Sequence, residues 1–366
     1  DAQESRGLGD VYKRQILYKT QIVLIICYIL SLFLFIKNPL KNQWGSSNKV
    51  ILICIGIFLI VAAVTRPEET ADTDNYIYGF TRGVVSGRME PMFSLIVTIS
   101  RLFSDPVVVG FSIFAGLSII ARLYNIKKYS VNIYASIMIY LSYCYIAQDI
   151  VAIRSGVASA LLLVAVDYKF QEKYKYMFFV ICIATLFHYT ALIFVILFFI
   201  NTEKKQRLIY LSLLIGCYLL YYIDFDIRVF FPYLQYLTFL EYNLSSYSNS
   251  TEVVFGTLNG PQILRITTCL FFWIFIDRIF RKNMYSLMYL KIFTISLCMY
   301  PLFSSINTMG GRMYEIFSSA EAISLPICFA GVFDKPFLGK IAIIIYASYF
   351  FFVSINSFAY WAPHLF

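Results

Sequence analysis

KFQEKYKYMFFVICIATLFHYTALIFVILFFINTEKKQR, residues 169–207, poses the question that decides the fold. Its centre, Tyr176 to Ile200, is continuously apolar, and a helix needs about 20 such residues to cross a hydrocarbon core. Both flanks are basic, with Lys169, Lys173 and Lys175 before the apolar run and Lys204, Lys205 and Arg207 after it. Lysine and arginine gather in the cytoplasmic loops of membrane proteins, so one straight crossing would strand one flank on the wrong side. Two half-helices that enter and leave from the cytoplasm, turning near His188, satisfy both flanks. Such a turn is tolerated only where it is buried in protein or lines a cavity.

The rest of the chain has the same character. Of 366 residues, 60% are hydrophobic, 19% aromatic and 14% charged, with a mean hydropathy of +0.71; an ordinary globular domain carries about 25% charged residues. No soluble fold hides that much apolar surface. Further apolar runs fall at about Ile16–Ile36, Val50–Val64, Val107–Ala121, Val131–Ala147, Ile150–Val166, Leu208–Ile223, Ile263–Phe280, Tyr289–Phe303, Met313–Val332 and Ile341–Phe358. They are continuous rather than alternating, which favours helices over a barrel. The expected fold class is therefore all-α, a polytopic transmembrane bundle of about ten full spans plus a re-entrant hairpin, both termini outside. Residues 1–15 match neither the hydropathy nor the charge logic of the remaining chain and read as a foreign lead. Residues 16–366 form a single transmembrane domain with outer loops at about 65–106 and 224–262.

The net charge of +9 arises from lysine-rich cytoplasmic loops and does not call for a nucleic-acid partner. All eight cysteines lie inside apolar runs without a CxxC and read as small core residues. No phosphate-binding loop, dinucleotide fingerprint or Cys/His metal spacing is present, so no metal site and no cofactor are expected.

With the hairpin in place, every lysine after Lys19 falls on the cytoplasmic side. The opposite face carries Arg66, Arg82, Arg88, Arg154, Arg228, Arg265 and Arg312 and no lysine. A guanidinium grips phosphate with a planar, bidentate fork, so an arginine-only outer face suggests recognition of a phosphate or pyrophosphate. Pairing with nearby carboxylates, or snorkelling to lipid headgroups, is the competing account.

Four clusters supply candidates. Arg66 precedes Thr70–Phe80 (TADTDNYIYGF) and Glu90-Pro91-Met92-Phe93; Asp72 and Asp74 could accept sugar hydroxyls, deprotonate a nucleophile or cap a short helix. Met92–Phe103 is too short to span and suits an interfacial helix. Gln148–Ala160 (QDIVAIRSGVASA) places Arg154 inside an apolar helix, where a charge is functional by default or is paired with Asp149, Asp72 or Glu90. The small residues after it admit a close neighbour helix. His188 is either a hydrogen-bonded core histidine or, at a buried turn, a proton acceptor; His364 sits in a loose end. Gly310-Gly311-Arg312-Met313-Tyr314-Glu315 sets Arg312 at a helix start suited to an anion, or to a salt bridge with Glu315, and Arg265 is a weaker candidate of the same kind. Aromatics in Phe225–Tyr247 could stack on sugars, anchor at the interface or form a lid.

The order of Arg66, Asp72-Thr73-Asp74-Asn75-Tyr76, Glu90-Pro91-Met92-Phe93, Arg154-Ser155-Gly156-Val157-Ala158, Phe187-His188 and Arg312-Met313-Tyr314 resembles the EpsG-like branch of the Wzy-type polysaccharide (O-antigen and exopolysaccharide) polymerases, from roughly Leu17 onward. Ser155 stands where the family often has glutamine, and Thr70 where it has glycine. The resemblance implies a metal-independent glycosyltransferase of multi-span, GT-C-like architecture in the bacterial inner membrane. It would move a growing glycan from undecaprenyl diphosphate onto a lipid-linked repeat unit at the outer or periplasmic face. Arg154 and Arg312 would hold the diphosphate, helped by Arg66 or Arg265, with Asp72 or His188 as base. Asp74, Tyr76, Glu90, Gln148, Tyr314 and Glu315 would bind glycan or shape the site. Implied partners are the undecaprenyl-diphosphate-linked oligosaccharide, membrane lipid, and a chain-length regulator and flippase of the same pathway. A glycan ligase would use nearly the same site. A flippase or transporter would show internal repeats and a polar path to both faces, and an envelope acyltransferase would need a cytoplasmic histidine.

Overall fold

The computed structural model describes residues 2–40, 46–83, 90–230, 258–305 and 309–357, with side chains of the first helix from Thr20 and of the second from Lys49. The expectations for Arg88, for the side chain of Arg228, for residues 231–257 and for His364 lie outside the described residues, as do the side chains of residues 1–19.

Among the described residues the chain is entirely helical. In order come α1 (Ala2–Lys37), α2 (Ser46–Val64), α3 (Thr73–Arg82), α4 (Pro91–Ser100), α5 (Pro106–Tyr129), α6 (Ile133–Ile139) running on as a π-helical stretch (Tyr140–Val151), α7 (Ile153–Phe170) and α8 (Tyr174–Phe187). A 3₁₀ segment (Tyr189–Phe198) comes next, then α9 (Arg207–Tyr222), α10 (Gly260–Ile274), α11 (Ile276–Lys282), α12 (Ser286–Leu302), α13 (Met309–Ser318), α14 (Glu321–Val332) and α15 (Pro336–Ile355). Among the described residues, three helices are long and apolar enough to cross a membrane: Thr20–Lys37 of α1, α5 and α15. The pair α13 and α14 qualifies together but bends by 59° between its halves. The other apolar runs are carried by shorter helices.

Local chemistry sets the starts. Asp105 accepts from the amides of Val107 and Val108, and Pro106 opens α5 with its φ already helical. Asn132 caps α6 through Tyr134 and Ala135, and Asn259 caps α10 through Gln262. Met92–Phe103, read as an interfacial helix, contains most of α4.

The hairpin is present. Backbone angles at His188 turn extended (φ −156°, ψ 119°), and the 3₁₀ segment returns along α8. The rings of Tyr174 and Phe198, at its two ends, lie 6.4 Å apart, and Lys169 Nζ donates to the Phe198 carbonyl at 3.4 Å. A straight helix over the same residues would separate those ends by roughly 35 Å.

The basic loops also meet at one end of the bundle. Lys340 Nζ donates to the carbonyls of Ile36 and Asn38, and Asn132 to that of Pro39. Lys128 pairs with Asp167, Tyr129 packs on Phe170 and Tyr285, and Lys282 caps Phe333. Lys291, fully buried, fixes the 201–206 loop through the carbonyls of Asn201 (2.7 Å) and Lys204 (2.6 Å). The lysine-bearing segments thus share one face, as the positive-inside rule demands. The chain is a membrane protein; Arg207, Arg278 and Arg281 keep company with these lysines, whereas Arg66, Arg154, Arg265 and Arg312 lie toward the other end.

One internal network was not legible in advance. Arg122, buried in α5, pairs with Asp149 and donates to Gln148 Oε1, Ser159 Oγ (2.5 Å), the Gly156 carbonyl (3.0 Å) and Ser118 Oγ (3.0 Å). It fastens the end of the π-helical stretch to α5 and α7. At Gly156 the two elements approach so closely that a Cβ would overlap the Gln148 carbonyl oxygen. Asp149→Ala, which leaves the guanidinium buried without its charge partner, is expected to destabilise the protein by about 3–5 kcal/mol. A lowered unfolding midpoint in detergent would show it; an unchanged midpoint would mean the pair carries no stability.

Candidate active site

The site is assembled at the end opposite the lysines. An aromatic wedge aligns its parts: Phe80 of α3 contacts Phe111 of α5 (5.3 Å) and Phe93 of α4 (5.6 Å), Phe93 contacts Phe114 (5.8 Å), and Phe114 reaches Phe187 beside the hairpin turn (6.1 Å). The wedge holds the short helices α3 and α4 against α5 and the hairpin tip. Glu90, at the N-cap of α4, then points inward and is almost wholly buried.

Three groups meet at Glu90. Its Oε1 lies 2.8 Å from His188 Nδ1 and its Oε2 lies 2.5 Å from Arg154 Nη1. The Arg154 guanidinium also stands 5.7 Å from the ring centres of both Tyr76 and Phe93. Arg312, from α13, is within electrostatic reach of Tyr76, His188 and Glu315. Burial pushes the Glu90 carboxyl up, but the His188 hydrogen bond and the Arg154 charge outweigh it and hold the carboxyl at about 2. An ionised Glu90 can only accept, so His188 Nδ1 carries the proton and donates it. The Nε2 lone pair is then available to take a proton. Arg154 keeps 23% of its side chain exposed, while its Nε is buried.

The sequence of the EpsG family matches residues 49–366, a span that includes every residue of this cluster. The chain belongs to the EpsG family. Amylovoran biosynthesis protein AmsC of Erwinia amylovora is 24% identical over 333 residues, covering 84% of this chain and 86% of that protein. No solved structure matches the chain. The likeness read from the motif order between Arg66 and Arg312 is thereby established as EpsG membership.

Of the residues named in advance, the EpsG fold brings Tyr76, Glu90, Arg154, His188 and Arg312 together. Of the three carboxylates weighed as partners for Arg154, Glu90 makes the ion pair, while Asp149 belongs to Arg122. Gln148 belongs to the same internal network and donates to the Glu315 carbonyl and to Ser318 Oγ (3.0 Å), which makes it a shaping residue. Asp72 occupies the N-cap of α3 in a left-handed conformation (φ 64°) without a capping bond from its side chain. Its carboxylate is exposed, and its charge is felt by Tyr76 and Glu315. Asp74 is exposed in the first turn of α3. Arg66 is packed inward: Nε donates to the Ala63 carbonyl (2.7 Å), Nη1 to that of Ile150, and the guanidinium lies 4.0 Å from the Phe111 ring centre. It ties α2 to the π-helical stretch behind Tyr76.

Arg265 stands apart from the Arg154 cluster. Its guanidinium lies among the rings of Phe350 (4.1 Å), Tyr143 (4.6 Å) and Tyr314 (5.3 Å), and its Nε is 3.6 Å from Glu321 Oε2. Tyr314 donates to the other Glu321 oxygen at 2.5 Å. Sequence reading missed Glu321 and Arg122; a charged residue within or beside an apolar run is the signal that could have found both.

Proposed function

We propose that this EpsG-family protein is a polysaccharide polymerase that transfers a growing glycan from undecaprenyl diphosphate to a lipid-linked repeat unit at the outer face of the bacterial inner membrane. The observation that carries the reading is the convergence of Arg154 and Arg312, from different helices, on His188 at the end opposite the lysines. In the proposed topology the short helices pair into about ten crossings, α10 with α11 and α13 with α14 each forming one, and the hairpin enters from the cytoplasm. A relative named for amylovoran biosynthesis agrees with a role in polymer assembly.

The chemistry balances without further reagents. The acceptor hydroxyl gives its proton to His188 Nε2 and its oxygen bonds the anomeric carbon; the bond from that carbon to the diphosphate oxygen breaks, and the diphosphate leaves with the electron pair. Charge develops on the leaving group, where guanidinium groups fixed beforehand in a water-poor site stabilise it more than water could. Glu90 holds the imidazole in its tautomer and balances the imidazolium that forms, as the carboxylate of a catalytic triad does.

The test is purified protein in a bilayer with lipid-diphosphate repeat units alone, chelator present and nucleotide absent. A ladder of chain lengths is expected. A protein that only passes finished glycan to a different acceptor would be a ligase, and no transfer of either kind would overturn the assignment.

A further inference from the structure

The proposed chemistry uses the Arg154 cluster and leaves a second feature unexplained. Beside it lies a cavity of about 410 Å³, bounded by α10, α12, α13, α15 and the π-helical stretch. Its walls are the rings of Tyr143, Tyr300, Tyr314 and Phe350, with Gln262 and Glu315 among its polar groups. We infer that this cavity is a subsite for an uncharged pyranose ring of the glycan, at or next to the reacting bond; the inference rests on the polymerase reading.

Four observations carry it. The volume falls within the roughly 300–1,000 Å³ of small-molecule sites, which combine apolar walls with a few placed polar groups. Aromatic faces suit the C–H faces of a sugar ring, and the polar groups are of the kind that takes hydroxyls: Gln262 holds its amide nitrogen on Tyr218 Oη (3.2 Å), leaving its carbonyl oxygen, and Glu315 receives Tyr143 Oη on one oxygen (3.2 Å), leaving the other. The wall offers no uncountered cation, because Arg265 is paired with Glu321 and the other charged group lining the cavity is the Glu315 carboxyl, so the match is to a neutral ring rather than a second diphosphate. Its position also fits: Gly311 lines it next to Arg312 in the chain, and Glu315 feels both Arg312 and Arg265. A ring held there sits beside the proposed diphosphate grip.

Gly311 makes a direct test possible, since a Cβ added there meets nothing within 4 Å and a larger side chain can occupy the open space. Gly311→Phe fills the cavity, and Gln262→Leu removes its amide at nearly constant volume. The probe is the repeat-unit oligosaccharide freed from the host's own polymer, carrying neither lipid nor phosphate, bound to the purified full-length protein. Wild-type protein is expected to bind it, and each variant to bind it about tenfold or more weakly, a loss of about 1.4 kcal/mol. Undecaprenyl diphosphate binding by Gln262→Leu is expected to stay at the wild-type value, which also shows that the variant is folded. No oligosaccharide binding by wild type, or equal binding by both variants, would overturn the subsite. Failure of the polymerase reading is distinct: wild-type protein would then fail to bind undecaprenyl diphosphate in the parallel titration.

Discussion

Arg154→Ala is expected to abolish polymer while leaving the protein in the membrane at its normal level. The side chain is partly exposed and its guanidinium is clamped by a buried carboxylate, at the start of a helix entered from a kink at Ala152. Losing one preorganised donor to a developing anion slows a reaction by about 10²–10³. A polymer is the product of many successive transfers, so such a slowing removes long chains altogether. Arg154→Lys keeps the charge but loses the planar fork, and is expected to yield only short chains. Glycan length on a gel, with immunoblotting for protein level, checks both; full-length polymer from Arg154→Ala would remove this residue from the site.

His188→Gln should be nearly as severe. Glutamine can still donate to Glu90, so the hairpin tip keeps its anchor, but it has no basic nitrogen for the acceptor's proton; general bases contribute about 10²–10⁴ in rate. Initial rates from purified protein check it, and a rate within a fewfold of wild type would dismiss His188 as the base. The pH dependence separates the pair. Neutral imidazole is the working form, so activity falls as the pH drops through its titration. Glu90, held at about 2, adds no limb of its own in the working range. Its folded-state value is depressed, so the stability it lends is present above the ordinary glutamate value of about 4.3 and is lost only as the pH falls toward about 2.

Fold class and hairpin were legible because both rest on local signals. Apolar length and flanking lysines are read one segment at a time, and Tyr174 beside Phe198 is the geometric counterpart of lysines at both ends of the run. The site was legible only as parts. Glu90, Arg154 and His188 each stood out, but their mutual bonds join positions 64 and 98 residues apart, and nothing local says which carboxylate Arg154 will choose. Arg122 was opaque for a different reason: preceding Lys127 and Lys128 at the end of an apolar run, it looks like a flank, yet folding buries it against Asp149. Division of the apolar runs into short helices was unreadable too. The breaks fall at Phe275 and Ser319–Ala320, without glycine or proline, whereas Pro301 and Pro326 lie inside α12 and α14.

The polymerase chemistry depends on two arginines from different helices holding one lipid-borne diphosphate. The most direct measurement is the affinity of the purified protein for undecaprenyl diphosphate, compared with Arg154→Ala and Arg312→Ala. Binding by wild type that weakens about tenfold or more in each variant is the predicted result. Equal affinity in all three proteins would contradict it.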